Sequence, residues 1–269
     1  MINKIGYTYG AFDGLTMDRL YEIIKFLENH KEIVIGIFSD ELLSKIYANE
    51  EPIFNFEQRT KVIESLKGVK ATFKVDSLDK QQIEANAIET YKKSLIRNTD
   101  KISKKEFDLG YISGVFDLCH PGHIEHLLLA KEKCEKLVVG VKTDKFVQKN
   151  KNKTPVVPEQ VRLDIIKHLK FVDDAYLTDE ICEPPENVSK IYGDFDALFL
   201  GSDWSREEKL TPEKKQYLEF LRSKYNLQFS KRTREQEKKV SSTSFTKRVK
   251  KQKYAKYPEK PLEIDDIEH

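Results

Sequence analysis

A long apolar run is the first thing this chain lacks. No stretch approaches the roughly 20 residues that a membrane-crossing helix requires, so no membrane-spanning segment is expected. Cysteine is scarce. Cys119, Cys134 and Cys182 are odd in number and fit neither a disulfide framework nor a metal-ligand spacing, which points to a reducing, cytoplasmic setting. An excess of one charge is missing as well: 47 Lys and Arg stand against 45 Asp and Glu, a formal net charge of +2. The overall balance therefore selects no partner, and only the local placement of charge is informative. The first residues, Met1-Ile2-Asn3-Lys4, run straight into a strand-like segment with no charged-then-apolar leader pattern.

What is present is the composition of a packed protein with a solvated surface, 34% charged and 39% hydrophobic over 269 residues. That length suits one large domain or two small ones, each able to bury a core. An internal repeat decides for two. Gly10-Ala11-Phe12-Asp13 matches Gly114-Val115-Phe116-Asp117, and Gly36 to Asp40 matches Gly140 to Asp144. Pro52 to Arg59 then matches Pro155 to Arg162, with Lys67 and Val69 answering Lys170 and Val172. Each copy should be a right-handed crossover between parallel strands. The first copy ends early, in an amphipathic helix with Ile83, Ala87, Tyr91 and Leu95 on one face. The polar run 97–106 connects the halves.

In the second half, strands are expected near 108–114, 136–142, 173–177, 196–201 and 227–231. Helices are expected near 121–134, 158–169, 183–192 and 212–224. The alternation predicts an α/β, Rossmann-like doubly wound parallel sheet, built as two tandem related units with the first truncated and degenerate. The expected division is 1–96, a structural copy; 107–250, the catalytic domain; and 251–269, a flexible charged tail.

Residues 114–123 read G-V-F-D-L-C-H-P-G-H. A buried strand leads in and helical spacing leads out, with Pro121 and Gly122 at the helix start. Such a turn aims backbone N–H groups and the positive helix end at an anion. His120 and His123, at i and i+3, can reach one phosphate from two sides. The first copy has Thr16 and Arg19 in their places. Two blander readings stay open: a packed helix start, or a metal cluster of Cys119, His120, His123 and His126. His30 and His168 read as structural.

G-x-F-D-x-x-H-x-G-H resembles the signature of the nucleotidyltransferases that include the glycerol-3-phosphate, choline-phosphate and ethanolamine-phosphate cytidylyltransferases. The resemblance covers roughly residues 107–250, in order. Gly201-Ser202-Asp203-Trp204 resembles the G-D-D-W of the glycerol-3-phosphate members, and Lys149 and Lys151 fall where the family has lysines after the second strand. Arg232-Thr233 followed by Val240-Ser241-Ser242-Thr243 resembles R-T-x-G-I-S-T-T. Two departures stand out: several residues part Arg232-Thr233 from the serines, and Lys239 replaces the family's glycine.

The resemblance implies transfer of CMP from CTP to a small phosphorylated alcohol such as glycerol 3-phosphate, releasing pyrophosphate, with Mg²⁺ brought by the triphosphate. It implies catalytic roles for His120, His123, Lys149, Lys151 and Arg232. Nucleotide contacts would come from Gly114, Val115, Phe116, Asp117, Gly122, Gly201, Asp203, Trp204, Ser241, Ser242 and Thr243. Each has a plainer reading: the lysines a solvated loop, Trp204 a core cap, Ser241 to Thr243 an N-cap. Arg162 is as suited to a salt bridge as to substrate.

Three alternatives remain. One is adenylyl transfer within the same superfamily, since the histidine turn reads triphosphate and not base. Another is nucleic-acid binding through the basic segment 231–256, where 11 Lys or Arg face two Glu; its aromatics are few, and no nucleic acid is expected as a partner. The third is a non-catalytic nucleotide sensor, disfavoured by the intact histidine pair. Family members are commonly dimers of one such unit. The first copy is therefore expected to take a partner's place in an internal pseudo-dimer with one active site, leaving room for further oligomerisation.

Overall fold

The computed structural model describes residues 5–14, 17–47, 52–96, 104–230 and 265–266. They fall into two compact units, one around the first repeat and one around the second. In the first, strands β1 (Ile5–Gly10), β2 (Glu32–Phe38) and β3 (Val69–Val75) pair in parallel, β2 in the middle. Helices α1 (Met17–Asn29), α2 (Asp40–Ile46), α3 (Phe56–Glu64) and α4 (Lys80–Ile96) connect or follow them. Ile83 and Ala87 of α4 are buried against Val34, Phe73 and Val75, with Tyr91 at the edge. The expected apolar face stops there: Leu95 is 54% exposed.

The second unit runs β4 (Phe107–Gly114), α5 (Pro121–Lys133), β5 (Cys134–Lys142), α6 (Asp144–Lys151), α7 (Glu159–Lys167), β6 (Asp174–Thr178), α8 (Glu186–Tyr192), β7 (Ala197–Leu200), α9 (Pro212–Lys224) and β8 (Asn226–Phe229). Its five strands are all parallel in the order β6-β5-β4-β7-β8. The chain winds outward from β4 through β5 to β6, then returns to the other side of β4. This is the Rossmann-like doubly wound arrangement, with its switch point at the carboxyl end of β4. Strands covered on both faces read as near-continuous apolar runs, as Leu137 to Val139 and Ala197 to Leu200 do. Tyr111, Val138 and Leu198 of one face join Val188, Leu218 and Leu221 of α8 and α9 in a common core. Helices α5 and α7 pack on β4, β5 and β6.

One helix was not expected. The polar stretch after β5 forms α6 because Thr143 Oγ1 accepts from the Phe146 amide at 3.0 Å and caps its start. Asn152, at φ +46°, closes it in the left-handed conformation. Only Val147 of α6 is buried, so no apolar periodicity announced it. The C-terminal stretch contributes a two-residue strand, β9 (Asp265–Asp266), antiparallel to β1 at Gly6 and Tyr7. Among the described residues, no helix is long and apolar enough to cross a membrane.

Candidate active site

The loop 115–120 leaves the central strand through a kinked turn. Phe116, Leu118 and Cys119 all take positive φ, at 55°, 62° and 29°. Such conformations cost L-residues energy and persist only where the surroundings enforce them. Three contacts do so here. Asp117, buried, accepts from the amides of Val156 (3.0 and 3.1 Å) and Val157 (3.0 Å). Arg162 Nη1 donates to the Val115 carbonyl at 2.6 Å. The Phe116 ring folds back over Gly114, where a Cβ would stand 2.9 Å from it. Glycine at 114 therefore leaves room for the close approach of that ring.

The same turn delivers His120 to the N-cap of α5 in an extended conformation, with Pro121 opening the helix. The His120 side chain does not cap the helix. His120 is buried and His123 half-buried, their rings stacked with centroids 3.8 Å apart and planes at 27°. The Phe116 ring meets His123 edge-on at 5.3 Å. Two imidazoles are thus fixed together over a 13-residue helix N-terminus, at the carboxyl end of the central strand. Donors of this kind suit an anion whose charge grows during reaction. Among the described residues, no three His, Cys, Asp or Glu side chains gather as a metal-holding group. The three cysteines are buried and unbridged, and burial pushes the Cys119 thiol up to about 12.

The other expected site residues divide. Val115 serves through its carbonyl, Asp117 through both carboxylate oxygens holding the 156–157 amides, and Gly122 is buried in the first turn of α5. After β7, the Trp204 amide donates to Gly201 at 3.0 Å, forming a turn at the same sheet edge. Asp203 is exposed there. Trp204 is half-buried, 6.1 Å from the Tyr217 ring, with Lys214 Nζ 5.9 Å from its own ring centre. Lys149 and Lys151 are exposed on the last turn of α6, not on a loop, where cations also favour the helix dipole. Arg232, Ser241, Ser242 and Thr243 lie outside the described residues, as does Thr16 of the first copy.

Arg162 is fully buried and structural. Besides Val115 it donates to the carbonyls of Val157 (2.9 Å) and Lys142 (2.8 Å) and to Asp144 Oδ1 (2.5 Å). Arg59 makes the matching set in the first unit: Phe54, Ala11 and Phe38 carbonyls, and Asp40 Oδ1. Asp13 likewise accepts from the Ile53 and Phe54 amides, both at 2.8 Å.

A residue that sequence reasoning missed is Lys142, the last of β5. It is 4% exposed, donates from Nζ to the Glu180 carbonyl and lies 5.1 Å from the Phe146 ring centre. Burial lowers its pKa from 10.5 to about 8. The available signal was the repeat itself, since the first copy has Phe38 at this position.

Residues 111–248, just over half of the chain, match the model of the cytidylyltransferase-like family. The FAD synthase of Methanothermus fervidus is 44% identical over 101 residues, which are 36% of this chain and 67% of that protein. The bifunctional protein HldE of Caulobacter vibrioides is 40% identical over 100 residues, 37% of this chain and 20% of its own length. This chain thus spans only about a fifth of the HldE proteins it matches. The crystal structure of a lipopolysaccharide core biosynthesis protein from Thermoplasma volcanium GSS1 has 29% sequence identity and a TM-score of 0.34, covering 45% of this chain and 93% of its own. The strand-to-helix turn with its histidine pair lies inside the matched region, and the chain belongs to the cytidylyltransferase-like family of nucleotidyltransferases.

Proposed function

We propose that the second unit transfers a nucleotidyl group, CMP from Mg²⁺-bound CTP, to the phosphate of a small alcohol such as glycerol 3-phosphate. The observation that carries this is the stacked His120–His123 pair above the N-terminus of α5. An acceptor phosphate oxygen attacks the α-phosphorus, a P–O bond forms, the bond to the β-phosphate breaks, and pyrophosphate leaves with the electron pair. The nucleophile is already anionic, so no strong base is required. The difficulty is bringing two anions into line and neutralising the charge that builds on the triphosphate. His120 and His123 donate hydrogen bonds to triphosphate oxygens as that charge grows; removing one such donor costs about 3 kcal/mol, on the order of a hundredfold in rate. Asp117 and Arg162 hold the turn that aims them. One site per chain is expected, because the first copy lacks both histidines.

A second reading, adenylyl transfer from ATP, is favoured by the relative named FAD synthase, since FAD contains an adenylyl group. Gly201 to Trp204 favours the cytidylyl reading through its resemblance to the glycerol-3-phosphate enzymes. Pyrophosphate release from CTP and ATP, each against a panel of phosphorylated alcohols, decides between them. Release only with CTP supports the first reading and release only with ATP the second. No release with any pair overturns both.

A further inference from the structure

The buried ammonium of Lys142 has no role in the nucleotide chemistry described above. Strand register places its side chain on the sheet face of Tyr111, Tyr176 and Thr178, at the carboxyl edge that also presents the histidine turn. An ammonium has three N–H donors. One goes to the Glu180 carbonyl, and the Phe146 ring contributes its electrostatic face. Among the described residues, no carboxylate lies within ion-pair distance of Nζ. The charged groups that act on it are Lys151, which opposes its protonation, and Asp179 and Glu180, which favour it. The Cys182 thiol beside it is pushed up to about 12 by burial, and so is neutral at physiological pH. A buried ammonium with one hydrogen bond to a neutral carbonyl, and with donors to spare, is an arrangement completed by an anion.

We propose that Lys142 is a specificity-determining residue of the acceptor subsite, its ammonium binding the phosphate of the acceptor alcohol together with Lys151. The assignment rests on the nucleotidyl-transfer reading for the identity of the anion. The degenerate copy, which lacks the histidine pair, also lacks this lysine and has Phe38 instead.

The consequence is a proton balance. With the pKa near 8, half of the free sites hold Lys142 neutral at pH 8. Phosphate binding restores the charge, so about half a proton is taken up per phosphate bound at that pH. Glycerol 3-phosphate and inorganic phosphate are both largely dianionic there, so the uptake belongs to the protein.

The test is calorimetric titration of the full chain with glycerol 3-phosphate and with inorganic phosphate, at pH 8, in buffers of different ionisation enthalpy. Wild type is expected to take up about half a proton. Lys142→Met should bind both probes at least tenfold more weakly, without proton uptake. Its affinity for CTP should stay within twofold, and its melting temperature should be equal or higher, because a desolvated charge has been removed. Lys190→Met, which removes an exposed lysine of α8, should match wild type. Unchanged phosphate affinity and uptake in Lys142→Met, a loss confined to CTP, a lowered melting temperature, or no binding of either probe to wild type would each overturn the proposal. The two readings fail separately. Transfer with an unchanged acceptor KM in Lys142→Met removes the lysine assignment and leaves the reaction. Lys142-dependent phosphate binding without transfer leaves the anion site and removes the reaction.

Discussion

Arg162→Met is the substitution whose effect can be worked most directly from the structure. The guanidinium has no exposed surface and makes four hydrogen bonds, to Val115, Lys142, Val157 and Asp144. Methionine fills similar length but donates nothing, so three carbonyls and one carboxylate lose a charged donor. Breaking a buried ion pair from one side costs about 3–5 kcal/mol. Asp144 is 39% exposed and recovers part of its solvation, which places the estimate near the lower end, about 3 kcal/mol. That is a large part of the stability of a domain. The chain's single tryptophan, Trp204, lies in this unit, so its fluorescence reports this unit's unfolding. With a urea slope of about 2 kcal/mol/M, the Trp204 midpoint should fall by about 1.5 M. Turnover should also fall at least tenfold, because the Val115 carbonyl anchors the turn that carries His120. Arg59→Met removes the matching bonds in the first unit. It should cost comparable stability by far-ultraviolet circular dichroism while leaving the histidine turn intact. A Trp204 midpoint within about 0.5 M of wild type in Arg162→Met, a shift of about 1 kcal/mol, would refute the reasoning.

His120→Ala and His123→Ala should each lower kcat at least tenfold with the fold retained; near-normal turnover in either purified, folded variant sinks their assignment. Gly140→Ala should destabilise the second unit by about 1–3 kcal/mol in urea, because the new Cβ would stand 2.1 Å from the Tyr111 hydroxyl and 2.8 Å from Thr178 Cγ2; a neutral outcome would show that the tyrosine moves freely. Lys142 binds its proton less tightly in the folded chain, so between pH 8 and 10.5 the unfolded chain holds more protons and stability rises with pH. Wild type should therefore gain on Lys142→Met by up to about 3 kcal/mol across that window, and parallel pH curves would count against it.

The strand and helix order of the second unit was legible because buried parallel strands are apolar runs and the helices between them alternate with turn residues. The histidine turn was legible because its residues are contiguous. What escaped detection depends on contacts between distant segments. The oxygens of Asp117 accept from amides about forty positions on, a distance no local pattern spans. Leu118 and Cys119 take left-handed conformations without the glycine or asparagine that would announce them. Helix α6 is mostly solvated, so its sequence has the polarity of a loop, and Lys149 and Lys151 acquire a helical setting only through Thr143 and Asn152.

The duplication separates architecture from chemistry. Both copies have a left-handed phenylalanine, Phe12 and Phe116, at the first kink. Both clamp it with an aspartate on two amides and an arginine on three carbonyls and an aspartate. A feature kept where there are no histidines is explained by folding the crossover, and needs no substrate. The histidine pair and Lys142 occur in one copy alone. Lys142 carries a cost there that Phe38 does not: a pKa lowered from 10.5 to about 8 corresponds to about 3 kcal/mol of desolvation at neutral pH. An apolar side chain is accepted at that strand end in the first unit, so packing does not demand the lysine in the second. The lysine stands where stability alone favours its absence, which is the pattern expected of a residue retained for what it binds.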